Sequence, residues 1–165
     1  MDAITQGTKN GLDIFLNVIA MLIVVMALIF LINAILGLLP NINELPITLE
    51  LILGYIFAPL AWFMGIPWSE AFAAGQLLGV KTALNEFVAY LYLSDSETYQ
   101  LSEKSRLIML YALCGFANFS SVGILLSGMS AMVPERRKDL ISVSGKALWG
   151  ALLASCLTGF MVGIL

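Results

Sequence analysis

Glu86 is the residue whose type and neighbours point most directly to chemistry. It ends the run Lys81-Thr82-Ala83-Leu84-Asn85-Glu86, where a cation, a hydroxyl, an amide and a carboxylate stand together between apolar stretches. A carboxylate surrounded by apolar chain is costly in a bilayer and usually faces a cavity or a partner. Two readings are open: Glu86 pairs with Lys81 and only holds a turn together, or it accepts hydrogen bonds from a ligand. A second cluster, Asn118 with Ser120 and Ser121, lies between Gly115 and Gly123. These side chains either line a polar pocket or hydrogen-bond across membrane helices as packing, worth about 0.6–2 kcal/mol. Phe116 and Phe119 beside them either stack on a ring-shaped ligand or fill the bundle. The sequence contains no His, which excludes His-based triads and most zinc sites. An intramembrane hydrolase would also need an HExxH-type or paired-aspartate motif, and neither is present. Cys114 and Cys156 each sit alone in an apolar run and read as small buried hydrophobes rather than a disulfide.

Composition sets the solvent in which these groups must work. The 165 residues are 60% hydrophobic and 12% charged, with a mean hydropathy of +0.95. Soluble domains carry roughly 45–50% apolar and about 25% charged residues, so lipid is the better solvent for this chain. A net charge of -3 without a basic stripe gives no expectation of nucleic-acid binding. Residues 1–10 are polar with Lys9 as their one cation, and they lack the basic-then-apolar layout of a signal peptide. The first apolar run is therefore expected to be a retained span.

The elements that would position the two clusters follow from apolar runs and their breaks. Residues 12–39 are expected to form a long, tilted helix, since about 20 residues suffice to cross a bilayer. Pro40 and Pro46 bracket a polar link. Residues 47–65 carry Glu50, Gly54, Pro59 and Trp62, a pattern that fits either a span or an interfacial helix. Pro67-Trp68-Ser69-Glu70 reads as a helix start, and the helix it opens is expected over 71–81. A polar tip at 82–86 and a second short apolar run at 87–93 complete a re-entrant hairpin, whose backbone is tolerated at depth only against protein or a water-filled cavity. Residues 94–106 form a solvated loop, with Ser102 and Ser105 as possible caps for the next helix. That helix, 107–132, is expected to break within 115–123. A charged turn at 134–139 precedes a last span at 140–165. Arg136, Arg137 and Lys138 should hold that turn on the cytoplasmic side, leaving the 94–106 loop and the C-terminus outside. Gly75 with Gly79, and Ala151, Ser155, Gly159 and Gly163, are spaced for close helix packing.

These segments together resemble the C-terminal region of the concentrative nucleoside transporter family. The resemblance rests on Gly79-Val80-Lys81-Thr82-Ala83-Leu84-Asn85-Glu86-Phe87-Val88-Ala89-Tyr90 and on Cys114-Gly115-Phe116-Ala117-Asn118-Phe119-Ser120-Ser121. The stretch 51–62 and the turn 134–137 agree with it. It implies an all-α integral membrane fold with a long scaffold helix, an interfacial helix, a re-entrant helical hairpin, a broken transmembrane helix and a final transmembrane helix. Residues 1–165 would be a single membrane domain, the C-terminal half of a transporter in the plasma membrane (bacterial-type inner membrane).

By the same resemblance Glu86, Asn118 and Ser121 bind the ribose hydroxyls of a nucleoside, with Phe116 and Asn85 in the same pocket. A carboxylate accepts bonds from vicinal hydroxyls, and an amide and a hydroxyl both donate and accept. Inverted repeats with broken helices at the midplane recur in transporters. The resemblance implies a cation-coupled symporter, driven by sodium or protons, that assembles as a homotrimer. The nucleobase contacts and ion ligands belong to the family's N-terminal half, so no metal ligands and no cofactor are expected in this chain. A non-transporting membrane protein that keeps the fold for assembly is the alternative.

Overall fold

The computed structural model describes residues 1–40, 46–95 and 97–165, and among them every regular element is helical. In chain order these are α1 (Asp2–Leu36), α2 (Leu49–Phe63), α3 (Trp68–Ala83), α4 (Glu86–Ser94), α5 (Glu103–Leu113), α6 (Phe119–Met132) and α7 (Arg137–Ile164), with a 3-10 turn at Pro134–Arg136 before α7.

Helix α1 begins well before the apolar run that was expected to define it. Its polar start is helical because short side chains bond within single turns: the Thr5 and Thr8 hydroxyls donate to the Met1 and Ile4 carbonyls, and Gln6 donates to Asn10. The helix is about 52 Å long at 1.5 Å per residue, enough to cross a bilayer and project beyond it. It stops at Leu36 rather than Leu39, where the Gly37 N–H returns to the Asn33 carbonyl at 2.9 Å. The polar link at 41–45 lies outside the described residues.

Asn33 joins α1 to α2. Its Oδ1 accepts from the Leu49 N–H at 2.8 Å, and its Nδ2 donates to the Glu50 carboxylate at 3.0 Å. Thr48 caps the Leu51 N–H. The 15 residues of α2 span about 22 Å, short of the ~30 Å hydrocarbon core. The chain then bends by 119° into α3, through Gly65 at φ +95, a left-handed conformation that glycine accepts without strain. Helices α2 and α3 pack closely along their length. Gly75 makes this possible, because a Cβ there would come within 2.5 Å of the Gly54 carbonyl oxygen.

Helix α3 runs two to three residues further at each end than the expected 71–81. Pro67 starts it early, and the Thr82 hydroxyl bonding to the Leu78 carbonyl continues it to the tip. Its 16 residues and the 9 of α4 measure about 24 Å and about 14 Å, so both arms remain shorter than the hydrocarbon core. Polar contacts fasten the arms to the start of α5: the Glu70 carboxylate accepts from the Ser102 N–H and hydroxyl, and Arg106 donates to the Leu93 carbonyl at 2.7 Å.

The expected break in the next helix is present and shorter than anticipated. It occupies residues 114–118, and Ser120 to Gly123 are already helical because Asn118 caps α6 there. Ser102 caps α5 as expected. The charged turn expected at 134–139 is shorter: helix α7 takes in Arg137 to Asp139, since the 3-10 turn at Pro134 leads directly into it. The stretch 134–164 is long and apolar enough to cross a membrane by itself. The buried core lies where α2, α3, α5 and α7 meet, around Ala61, Leu77, Leu78, Ile108, Leu113 and Leu152.

Candidate functional site

The tip of the hairpin is two residues, Leu84 and Asn85. Asn85 is extended, with φ -168, and its Oδ1 accepts from the Val88 N–H at 2.9 Å, so its side chain serves as the N-cap of α4. This makes Glu86 the first residue of α4. A carboxylate there is favoured by the partial positive charge of the helix start. Its side chain is partly exposed, while Asn85 is buried.

The facing part of the site is the start of α6. Asn118 is buried and extended, and its Oδ1 accepts from the Ser121 N–H at 2.6 Å. The Ser121 hydroxyl accepts in return from the Asn118 N–H at 3.1 Å and donates to the Asn118 carbonyl at 2.7 Å. This reciprocal pair is a capping box. The cap leaves the Asn118 amide group free, and Nδ2 donates to Glu86 Oε2 at 2.8 Å. The structure thus brings Glu86 and Asn118 together, with Ser121 directly behind Asn118 and Asn85 beside Glu86.

Glu86 does not pair with Lys81. Among the described residues the one salt bridge joins Arg136 to Asp139 on the surface, and Lys81 Nζ donates instead to the Ala112 carbonyl. The carboxylate is therefore available for other partners. Its Oε1 accepts no hydrogen bond among the described residues, and an ionised carboxylate can accept at about four positions. The Ser121 hydroxyl has given its proton and one lone pair to the cap, which leaves one acceptor position. Phe116 and Phe119 are 54% and 62% exposed, so within this chain they do not fill a core. The buried Ser120 hydroxyl has no hydrogen-bond partner among the described residues. No group of three or more His, Cys, Asp or Glu is arranged to hold a metal ion among the described residues.

The spacing Asn-x-x-Ser is the sequence signature of this capping box, a more specific signal than a polar cluster. The bond from the Tyr90 hydroxyl to the Leu110 carbonyl at the end of α5 is not legible in the sequence, because the two residues are twenty positions apart.

The site belongs to a fold with known relatives. Residues 1–163 match the family described as Na+ dependent nucleoside transporter C-terminus. The chain is 39% identical to the nucleoside permease NupC of Helicobacter pylori, over 99% of its own length and 40% of the relative's. It is 44% identical to the uncharacterized transporter YutK of Bacillus subtilis, covering 41% of that protein. Against human solute carrier family 28 member 3 the identity is 35%, over the whole chain and 26% of the relative. Among solved structures, CNTnw in an inward-facing substrate-bound state superposes with a TM-score of 0.83 at 40% identity, over 98% of this chain and 40% of that one. A CNTnw variant in an intermediate state gives a TM-score of 0.90. The chain spans about two fifths of the length of these bacterial relatives. The relatives are transporters and not enzymes, and the protein is a multi-pass protein of the plasma membrane. By sequence and by fold, this chain belongs to the Na+ dependent (concentrative) nucleoside transporter family.

Proposed function

We propose that this chain supplies the ribose-binding part of a cation-coupled nucleoside symporter, as the C-terminal half of the transporter. The observation that carries the reading is the 2.8 Å hydrogen bond from Asn118 to Glu86, which brings a hairpin tip and a helix break to one point. The vicinal hydroxyls of a ribose would donate to Glu86 and accept from the second Nδ2 proton of Asn118. Ser121 offers its remaining lone pair from behind, and Asn85 fixes the start of α4 beneath Glu86. Phe116, exposed two residues before Asn118, would cover the sugar. The N-terminal half is the partner that would provide the base contacts and the coupling-ion site. Sodium is the coupling ion that the family description favours over protons. Assembly as a homotrimer in the lipid bilayer, through the exposed apolar side of α1, completes the reading.

The substitution Glu86→Gln keeps the shape and removes the charge. Because charge-assisted hydrogen bonds are roughly twice as strong as neutral ones, the KM for uridine should rise about tenfold in a transporter containing both halves. The rise should shrink for 2',3'-dideoxyuridine, which lacks the vicinal 2'- and 3'-hydroxyls that would donate to Glu86. Unchanged uridine uptake by the variant would contradict the assignment.

A further inference from the structure

Lys81 has no part in that ribose contact, yet it is fully buried, at 0% exposure. Its Nζ donates to the Ala112 carbonyl at 2.9 Å. This carbonyl lies in the last turn of α5, where intrahelical partners run out. The neighbouring groups are satisfied locally as well. The Tyr90 hydroxyl donates to the Leu110 carbonyl at 2.8 Å, the Cys114 N–H turns to the Tyr111 carbonyl, and the Ala117 N–H turns to that of Gly115. The two arms of the hairpin, through Lys81 on α3 and Tyr90 on α4, therefore cap the end of α5. Gly115 allows the close approach: a Cβ there would overlap the Ser155 hydroxyl and lie 3.4 Å from Lys81 Nζ.

The charges complete the pattern. The C-terminal end of a helix carries partial negative charge and the N-terminal end partial positive charge. The hairpin presents a cation to the end of α5 and a carboxylate to Asn118 at the start of α6. We propose that Lys81 is a positioning residue: its buried ammonium, helped by the Tyr90 hydroxyl, holds the end of α5 so that Asn118 meets Glu86 in the geometry a ribose requires. This rests on the ribose reading above. Lys81 touches no substrate itself.

The test uses the transporter containing both halves and compares Lys81→Met, which keeps most of the volume, with Lys81→Ala and Glu86→Gln. Losing a buried hydrogen bond from a charged group should raise the KM for uridine roughly tenfold in Lys81→Met, with the maximal rate within about twofold. Cys114, exposed at the end of α5, should react faster with a maleimide in the same variant, with or without substrate. In Lys81→Ala, added propylammonium, the fragment removed, should lower the KM again, and 1-propanol should not. A wild-type KM and wild-type Cys114 labelling in Lys81→Met would overturn the proposal. If Lys81→Met does not reach the membrane, Tyr90→Phe takes its place, with an expected KM rise of about threefold and a wild-type KM as the contradicting result. If Glu86→Gln alone behaves as wild type, the ribose reading fails. If Glu86→Gln is impaired and Lys81→Met is not, only the positioning role fails.

Discussion

Asn118 does two jobs with one side chain. Its carbonyl oxygen caps α6 through the Ser121 N–H, and its amide nitrogen reaches Glu86. The two jobs can be separated, because Ser is as good an N-cap as Asn but is too short to reach the carboxylate. Asn118→Ser should therefore leave thermal stability within about 0.5 kcal/mol while weakening uridine binding about as much as Glu86→Gln does. A melting curve in detergent and an uptake titration on the same preparation check both parts. A large loss of stability would mean that the bond to Glu86 holds the fold itself. The two clusters around these residues were visible from the sequence because polar groups in an apolar chain stand out. Their meeting was not visible, since Glu86 and Asn118 are 32 positions apart and only the packing of α3 and α4 against α5 and α6 brings them together.

The helices themselves were largely legible, because lipid-facing segments need long apolar runs and proline and glycine interrupt them. Pro67 marked the start of α3, and Gly115 marked the break. The ends were less legible where side-chain capping decided them. The polar start of α1 is helical through Thr5, Thr8 and Gln6, and α6 begins at Phe119 because Asn118 caps it, details that apolar patterning does not report. The hairpin also yields a test of topology. Arms of about 24 Å and about 14 Å cannot each cross a ~30 Å core, so Ser69 and Ser94, exposed at its two ends, should lie on the same side. With Cys114 and Cys156 replaced, a cysteine at either position should react with an impermeant reagent added outside. Labelling of the two sites from opposite sides would rule out a re-entrant hairpin.

At the scale of the whole molecule, much of the chain awaits a covering. Leu12, Phe15, Leu16, Ile23 and Phe30 on α1 are exposed, as are Phe116 and Phe119 at the site. Lipid can cover α1, but a nucleoside needs more than a ribose grip. Association costs several kcal/mol in lost freedom, and coupled transport requires an ion and a ligand that shift the same conformational equilibrium. The chain covers 40% of the NupC relative. On the proposed reading this chain holds one part of a two-part nucleoside site, and uptake of labelled uridine into proteoliposomes decides it. With a sodium gradient, vesicles holding this chain alone should accumulate no more than empty ones, and vesicles holding it with the N-terminal half should accumulate uridine in a Glu86-dependent way. Gradient-driven accumulation by this chain alone, or accumulation by both halves that ignores Glu86→Gln, would contradict the claim.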